Sequence, residues 1–301
     1  STITALTLDM SNAGTAIFAG DMVLSDGKKF YVSNDGNTYI EEDSGGTDLV
    51  FAAGSAERLR VKSNGTIATA TSGTSNLRLG DGAGAAIASG GNYNVVVGDS
   101  AGAAITTGDN NVTIGYASGD AITTGELNTY VGSNAGSAST TVSNNTAVGA
   151  YAFDAGTGAD NTALGSGALG GGSNSGSDNV AVGKDAGNSI SSGTLNTLMG
   201  NFAGDALTTG SRNVAIGYNA LSDDTTGDRA VAIGTGALEN QNFTDGTDNY
   251  NVAIGYDAGL SVTTGQSTTL VGGLSGDAIT TGMENTGVGY KSLSATTTGG
   301  Y

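Results

Sequence analysis

A repeat of about 17 residues is the feature that most constrains the fold of this chain of 301 residues. A glycine marks each unit, and neighbouring glycines are usually 17 residues apart, with a range of 16 to 21. Such glycines stand at positions 80, 98, 115, 132, 149, 165, 183, 200, 217, 234, 255, 272 and 289. A unit this short cannot bury its own apolar side chains, so the repeat predicts units that stack on one another.

The pattern inside one unit predicts a short strand followed by a corner. We number each unit so that the marking glycine is position 5; position 1 is then Asn in eleven of the thirteen units, and position 4 is always apolar. Positions 2 to 4 are rich in Val, Ile, Thr and Ala, which favour strands, and glycine permits a tight corner. No helical periodicity crosses the unit. We therefore expect an all-β fold, a parallel β-solenoid of 17-residue coils over residues 76–301.

The recurring Asn and Gly residues have a structural interpretation. We expect Asn111, Asn213 and Asn251 at position 1 to stack into a ladder of side-chain amides along the solenoid axis. The equivalent corner glycines are Gly115, Gly217 and Gly255. Repeated Thr-Thr pairs near the last corner predict a second ladder. Because position 3 is also small or apolar, we expect both faces of the strand to be partly buried, and the position-3 row to need cover from another chain.

The sizes of the side chains at two positions in the second half of the unit vary in opposite directions. Position 9 is Gly in eight units and Leu or Phe in five, and seven of the eight Gly units carry Ile, Leu or Val at position 12. Leu221 represents the units with a large residue at position 9. Gly259 and Val262 represent the units with Gly at position 9 and a large residue at position 12. Ser139 is the exception at position 12, with Val142 close behind. Since one large group fills a thin coil and two overpack it, we expect Leu221 and Val262 to occupy the same buried layer.

Composition excludes several classes of function. The chain has no Cys and no His, which removes disulfides, thiolate chemistry and the commonest metal ligand. A formal net charge of −18 disfavours nucleic acid and anionic membranes as partners. No apolar run is long enough to cross a membrane. The Asp-rich loops lack a known calcium-binding pattern. We expect no cofactor, no metal and no catalytic activity.

The stretch NVAIGYNALSDDTTGDRAVAIGTGAL at 213–238 resembles the head repeats of trimeric autotransporter adhesins. The resemblance covers roughly residues 76–301 and implies a left-handed β-roll of three intertwined chains. The repeats of that family are commonly shorter, which leaves the shape of the coil open. Tail fibres of bacteriophages, especially marine ones, carry the same kind of repeat in the longer form seen here.

Residues 1–75 are similar to a segment found upstream in phage tail-fibre proteins. Four stretches carry the resemblance, at Thr15–Gly20, Leu24–Tyr31, Asn34–Asp43 and Glu57–Ile67. Their alternating residues and their Asp-Gly and Asn-Gly pairs predict short strands joined by tight turns. We expect a small β-strand-rich module over 1–75, set apart from the solenoid by a Ser/Thr/Gly-rich stretch.

The resemblance implies a structural fibre segment of a phage tail that positions or mediates attachment to a host surface. Expected partners are further copies of the chain as a homotrimer, other tail proteins, and a host surface glycan or protein. The expected location is the virion tail. An adhesin or filament on a bacterial cell surface is the main alternative, and a polysaccharide-degrading tail protein with paired carboxylates is a distant one. The absence of an initial Met suggests a fragment or a processed product.

Two sets of residues are candidates for receptor contact. The first consists of tyrosines at position 6, just after the corner, where aromatic rings suit sugar faces or packing between coils and chains. The second lies in the long insertion at 239–250, which is either a binding loop or a neutral insertion at a tolerant corner. The residues are Tyr116, Tyr218, Tyr256 and Tyr290, and in the insertion Asn242 and Phe243.

Overall fold

A computed structural model describes residues 29–31, 37–42, 48–53, 56–64, 67–69 and 73–299. The chain divides into two compact units, residues 1–70 and 71–301. The described residues contain strands and turns and no helix, so none of them forms a helix of the length and apolarity that a membrane crossing requires. The predicted stretch at 15–20 lies outside the described residues.

The described residues of the first unit form an antiparallel sheet of five strands in sequence order. They are β1 (Lys29–Tyr31), β2 (Tyr39–Glu42), β3 (Leu49–Ala53), β4 (Ala56–Val61) and β5 (Ile67–Thr69). On the sheet, Arg60 of β4 forms ion pairs with Glu57 at 2.5 Å and with Asp48 at 3.2 Å. These carboxylates raise the pKa of Arg60. The predicted β module is confirmed in the described part.

The second unit is a parallel β-solenoid, as predicted. Its described residues form thirteen strands of three residues each, and every strand pairs in register with the equivalent strand of the next coil. We number the coils 1 to 13, one for each strand. The strands are β6 (Leu77–Leu79), β7 (Val95–Val97), β8 (Val112–Ile114), β9 (Thr129–Val131), β10 (Thr146–Val148), β11 (Thr162–Leu164), β12 (Val180–Val182), β13 (Thr197–Met199), β14 (Val214–Ile216), β15 (Val231–Ile233), β16 (Val252–Ile254), β17 (Thr269–Val271) and β18 (Thr286–Val288).

Glycine is required at the corner after each strand. Gly115, Gly217 and Gly255 have φ angles of 130°, 142° and 141°, a region that L-residues with a Cβ rarely adopt. A Cβ atom on Gly217 would also collide with the carbonyl oxygen of Gly234 in the next coil. The corner glycine therefore allows both the turn and the close stacking of coils.

The strand faces are oriented differently from the prediction. The eleven position-3 side chains from Val96 to Leu270 have no exposed surface and point into the coil. Positions 2 and 4 point outward and are half-buried or exposed. The expectation that the position-3 row would need another chain to cover it is wrong. Within a coil this thin, small residues at position 3 leave room for the larger group at position 9 or 12.

The predicted exchange between positions 9 and 12 is confirmed. Leu221 and Val262 are both fully buried in one continuous core. A Cβ atom on Gly204 would lie 2.8 Å from Cδ1 of Leu207, three positions later in the same coil. In a coil of the other class, a Cβ atom on Gly156 would collide with the ring of Phe153. The two side chains thus enter the same space from opposite ends of a turn.

Coil 4 fills this space in a third way. Its positions 9 and 12 are Gly136 and Ser139, and the fully buried ring of Tyr130 at position 3 takes the space instead. A Cβ atom on Gly136 would lie 2.5 Å from that ring, and the Tyr130 hydroxyl donates to Oγ of Ser139 at 2.9 Å. Burial raises the pKa of Tyr130 to about 12. Val142, which follows in the sequence, is only partly buried, at the last corner.

The asparagine ladder is present. Asn196 donates through its backbone N–H to Oδ1 of Asn179 at 3.1 Å, and through Nδ2 to the carbonyl of Gly210 at 2.9 Å. Its own Oδ1 accepts the backbone N–H of Asn213 in the next coil at 3.0 Å. Asn111, Asn213 and Asn251 are fully buried. Each amide therefore ties the strand to the far side of its coil and to the neighbouring coil.

Candidate interaction surfaces

The outward side chains at positions 2 and 4 form an apolar surface along the solenoid, which we call the outer strand face. In every coil, the two residues at these positions are drawn from Val, Ile, Leu, Met and Thr. Ile114 and Ile254 are each 37% exposed, Leu164 47% and Met199 44%. Apolar residues on an ordinary protein surface are isolated, whereas these side chains stay at least partly accessible over thirteen adjacent strands. The outer strand face is therefore larger than an ordinary apolar patch.

The four candidate tyrosines at position 6 lie on the surface at the first corner. Tyr116 and Tyr256 are each 60% exposed, Tyr218 52% and Tyr290 73%. Tyr218, Tyr256 and Tyr290 belong to coils 9, 11 and 13, whereas Tyr116 stands alone in coil 3. The sequence prediction treated the four as equivalent; in the solenoid, three form a series on alternate coils.

Neighbouring side chains orient these rings. Phe202 meets the ring of Tyr218 edge to face, with centroids 6.1 Å apart, and Lys184 lies 5.0 Å from the Phe202 centroid. The Asp257 carboxylate, which interacts with the Tyr256 hydroxyl, raises the pKa of Tyr256. Lys291 lies 5.4 Å from the centroid of Tyr290.

The insertion in coil 10 separates its two candidate residues. Asn242 is exposed, and its Oδ1 accepts a hydrogen bond from Thr225 Oγ1 at 3.1 Å. Phe243 is only 3% exposed. The prediction of Phe243 as a receptor-contacting residue is therefore wrong, because its ring lies in the interior.

The insertion instead completes a buried polar cluster that sequence reasoning missed. Coil 10 has Ala230 in place of the ladder Asn, and Asn249 supplies the missing acceptor, receiving the backbone N–H of Asn251 at 3.0 Å. Gln241 accepts from Nδ2 of Asn251 at 2.8 Å and donates to Oδ2 of Asp224 at 2.6 Å. The coincidence of a missing Asn with an insertion rich in amides was the available signal.

Asp224 is the charged member of this cluster. The residue has no exposed surface, and its Oδ1 accepts the backbone N–H groups of Gly227 at 3.0 Å and Phe243 at 3.1 Å. Burial raises the pKa of Asp224, and the hydrogen bonds from Gln241 and the backbone oppose that shift. The carboxyl group therefore stays paired in the interior, away from any surface at which a substrate could bind.

The remaining acidic residues do not assemble into a metal centre. Burial, followed by the charges of Asp223 and Asp185, raises the pKa of Asp205. Burial also raises the pKa of Asp120. In the part of the chain that the structure describes, no three Asp or Glu residues are placed to hold a metal ion.

The Thr pairs form the second ladder, at the last corner. The first Thr of a pair donates through Oγ1 to the carbonyl of the equivalent residue one coil on, at 3.0 Å for Thr106 to Thr123 and 2.9 Å for Thr208 to Thr225. These hydroxyls therefore serve contacts between coils rather than an external ligand.

Comparison with family models, with curated proteins and with solved structures finds no match to this chain. The functional argument consequently depends on the surfaces just described.

Proposed function

We propose that this protein is a structural fibre segment of a phage tail, assembled as a homotrimer, that positions or mediates attachment to the host cell surface. The observation that carries the proposal is the outer strand face. A rigid stack with one continuous apolar side is suited to an assembled shaft, because association of several copies covers that side. The number of three copies and the phage origin follow from the resemblance of the repeat and of residues 1–75.

The solenoid is suited to spanning distance. Thirteen coils at about 4.8 Å each give a length of about 60 Å. Ladders of buried Asn and of Thr, completed at coil 10 by Asn249 and Gln241, join neighbouring coils. We therefore expect a stack that bends little, and a rod of this kind transmits position rather than catalysing a reaction. We expect other tail proteins at the ends of the assembled fibre and a host glycan or protein along its exposed side.

The oligomeric state tests the assembly. Sedimentation and light scattering of the full chain should give three times the mass of one chain. Replacing Ile216 and Ile233 on the outer strand face with Glu should prevent association while circular dichroism still reports β structure. The control Thr209→Glu, at an exposed corner, should leave the mass unchanged. A wild-type monomer would overturn the assembly.

Localisation tests the phage origin. Antibodies raised against the chain should label virion tails in electron micrographs of the source culture. Label confined to bacterial surfaces would instead identify a cellular adhesin or filament.

A further inference from the structure

We infer that Tyr218, Tyr256 and Tyr290, which we call the tyrosine row, bind an extended polysaccharide whose disaccharide repeat spans two coils. This inference rests on the proposed attachment function and names the class of ligand and the surface that contacts it.

The spacing of the tyrosine row is set by the stacking of coils. Strands β14 to β18 pair in parallel and in register, so position 6 recurs at the same corner of each coil. Adjacent coils are about 4.8 Å apart, which places the tyrosines of alternate coils about 10 Å apart. In an extended β-linked polysaccharide, alternate sugars present the same face, and their separation is comparable to two coils.

The residues at position 6 between the rings are small. Thr235 and Gly273 occupy position 6 in the intervening coils 10 and 12. A Cβ atom on Gly273 would lie 3.7 Å from Cδ2 of Tyr290, an ordinary contact distance, so the Tyr290 ring lies beside position 6 of coil 12. A tyrosine on every coil would instead stack ring on ring and bury the faces. The alternation keeps the tyrosines of the row from stacking on one another. Phe202 still meets the Tyr218 ring and Lys291 lies over the Tyr290 ring, so a sugar would pack its C–H groups on the ring surface that these neighbours leave exposed.

Each tyrosine of the row is followed by a side chain that can hydrogen-bond to sugar hydroxyls. Position 7 carries Asn219, Asp257 and Lys291 in these three coils, with φ angles of 53°, 49° and 55°. The shared left-handed backbone conformation gives the three residues the same start beside the rings, and their side chains then differ: Asn219 donates through Nδ2 to Glu239 at 3.2 Å, and Lys291 lies over the Tyr290 ring. Asn219 and Asp257 are half-buried and Lys291 is exposed. An aromatic platform flanked by few polar groups is the arrangement expected of a sugar site.

Tyr116 supplies an internal control. It occupies the same position 6 and has the same 60% exposure as Tyr256. Its neighbours at position 6 two coils away are Asp81 and Ala150, so no ring stands at position 6 one polysaccharide repeat away from it; Tyr151 of coil 5 lies at position 7. Loss of the Tyr116 ring therefore reproduces the structural effect of losing Tyr256 without affecting the row.

The test measures binding of the full chain to a panel of immobilised bacterial capsular and lipopolysaccharide glycans, together with N-acetylglucosamine oligomers of increasing length. For a glycan that binds, Tyr256→Ala should raise Kd by about tenfold or more, and Tyr116→Ala by less than about twofold. Tyr256→Phe should keep most of the affinity, since the ring face remains. Affinity should rise with oligomer length until the oligomer spans all three rings.

Three results would overturn the inference: equal losses in Tyr256→Ala and Tyr116→Ala, no dependence on glycan length, or binding to no member of the panel. Labelling of virion tails is read independently of these measurements. Labelled tails together with an unaffected Tyr256→Ala would remove the inference and leave the proposed function. If Tyr256→Ala loses glycan binding and the antibodies label only bacterial surfaces, the results support polysaccharide binding by the tyrosine row and reject the phage origin.

Discussion

Coil 8, at residues 196–212, and coil 10, at 230–250, fill the same cross-section with different side chains. Coil 8 has Leu198 in the strand, Gly at position 9, Leu207 at position 12 and a ladder Asn. Coil 10 has Ala232, Leu238 and Gln241 at those three positions, Ala230 in place of the ladder Asn, and four extra residues.

The difference between these coils shows which requirements are fixed. One apolar space must be filled once, and the backbone N–H that follows each ladder position must find an acceptor. Which residue meets each requirement is free to change, even over a distance of nineteen residues along the chain, as between Ala230 and Asn249. The repeat therefore conserves an interior rather than a sequence.

The largest expected effect comes from breaking the hydrogen-bond network that replaces the Asn ladder in coil 10. Gln241→Leu removes the donor to the buried Asp224 carboxylate and the acceptor for Asn251. Because the buried carboxyl group then keeps only its backbone donors and Asn251 loses an acceptor, the free energy of unfolding should fall by about 3–5 kcal/mol, measured by denaturant titration. Asn240→Ala, at an exposed site in the same insertion, should change it by less than about 0.5 kcal/mol. Equal effects would show that the cluster is dispensable.

Breaking the regular Asn ladder in coil 8 should lower the free energy of unfolding by a somewhat smaller amount. Asn196→Ala leaves the Gly210 carbonyl and the Asn213 N–H without their side-chain partners. We expect a loss of about 2–3 kcal/mol, with faster hydrogen exchange confined to coils 7 to 9. Thr209→Ala, at an exposed position in the same coil, serves as the control. Exchange that accelerates uniformly through the solenoid would contradict a local role for each rung.

A double-mutant cycle sharpens the equivalence between the two coils. Ala230→Asn restores the missing side chain into space already used by the insertion, and should destabilise by about 1–3 kcal/mol. Asn249→Ala alone should also destabilise, because Asn251 loses its acceptor. In the double variant the loss of unfolding free energy should be about 1 kcal/mol smaller than the sum of the two single losses, since one amide replaces the other. Strict additivity would mean that Asn249 does not substitute for the ladder.

Coil 8 should also be convertible to the filling found in coil 10. Gly204→Leu brings a Cβ to 2.8 Å from Leu207 and 2.9 Å from Leu198, and overpacking should cost about 1–3 kcal/mol. Adding Leu198→Ala and Leu207→Thr imitates the other class of coil and should recover part of that loss. Thermal unfolding of the single and triple variants tests this. A triple variant less stable than the sum of its single changes would reject a shared space.

The smallest expected effect is a dependence on pH from Asp224. Its pKa is raised in the folded state, so the folded protein holds a proton that the unfolded chain has released. Stability contributed by this group is therefore present below about pH 4 and declines as pH rises from there through the folded-state pKa. The difference in melting temperature between wild type and Asp224→Asn should change across this range, whereas Asn240→Ala, which removes no titratable group, should track the wild type.

Much of the solenoid was predictable because each requirement recurs thirteen times. The corner glycine, the ladder Asn and the exchange of Leu221 for Val262 are all visible as periodic or paired changes. The orientation of the strand was not inferred correctly, because apolar residues occur on both of its faces. A signal was nevertheless present: all five coils with Leu or Phe at position 9 have Ala or Gly at position 3.

The features that the sequence did not reveal depend on single contacts between coils. Nothing periodic marks Phe243 as buried, since the insertion occurs once, and its aromatic residue resembles an exposed loop residue. The pairing of Asp224 with Gln241 joins residues in different coils. The series formed by three of the four tyrosines became apparent only when their coils were counted along the stack.

The hydrogen bonds between coils run along the axis of the stack, which has a mechanical consequence. When tension is applied along that axis, successive coil interfaces carry the same force in series, so the weakest interface sets the strength of the whole. An unrepaired gap at Ala230 would be such a point. By closing it with Asn249 and Gln241, the insertion keeps side-chain hydrogen bonds across the interface between coils 10 and 11.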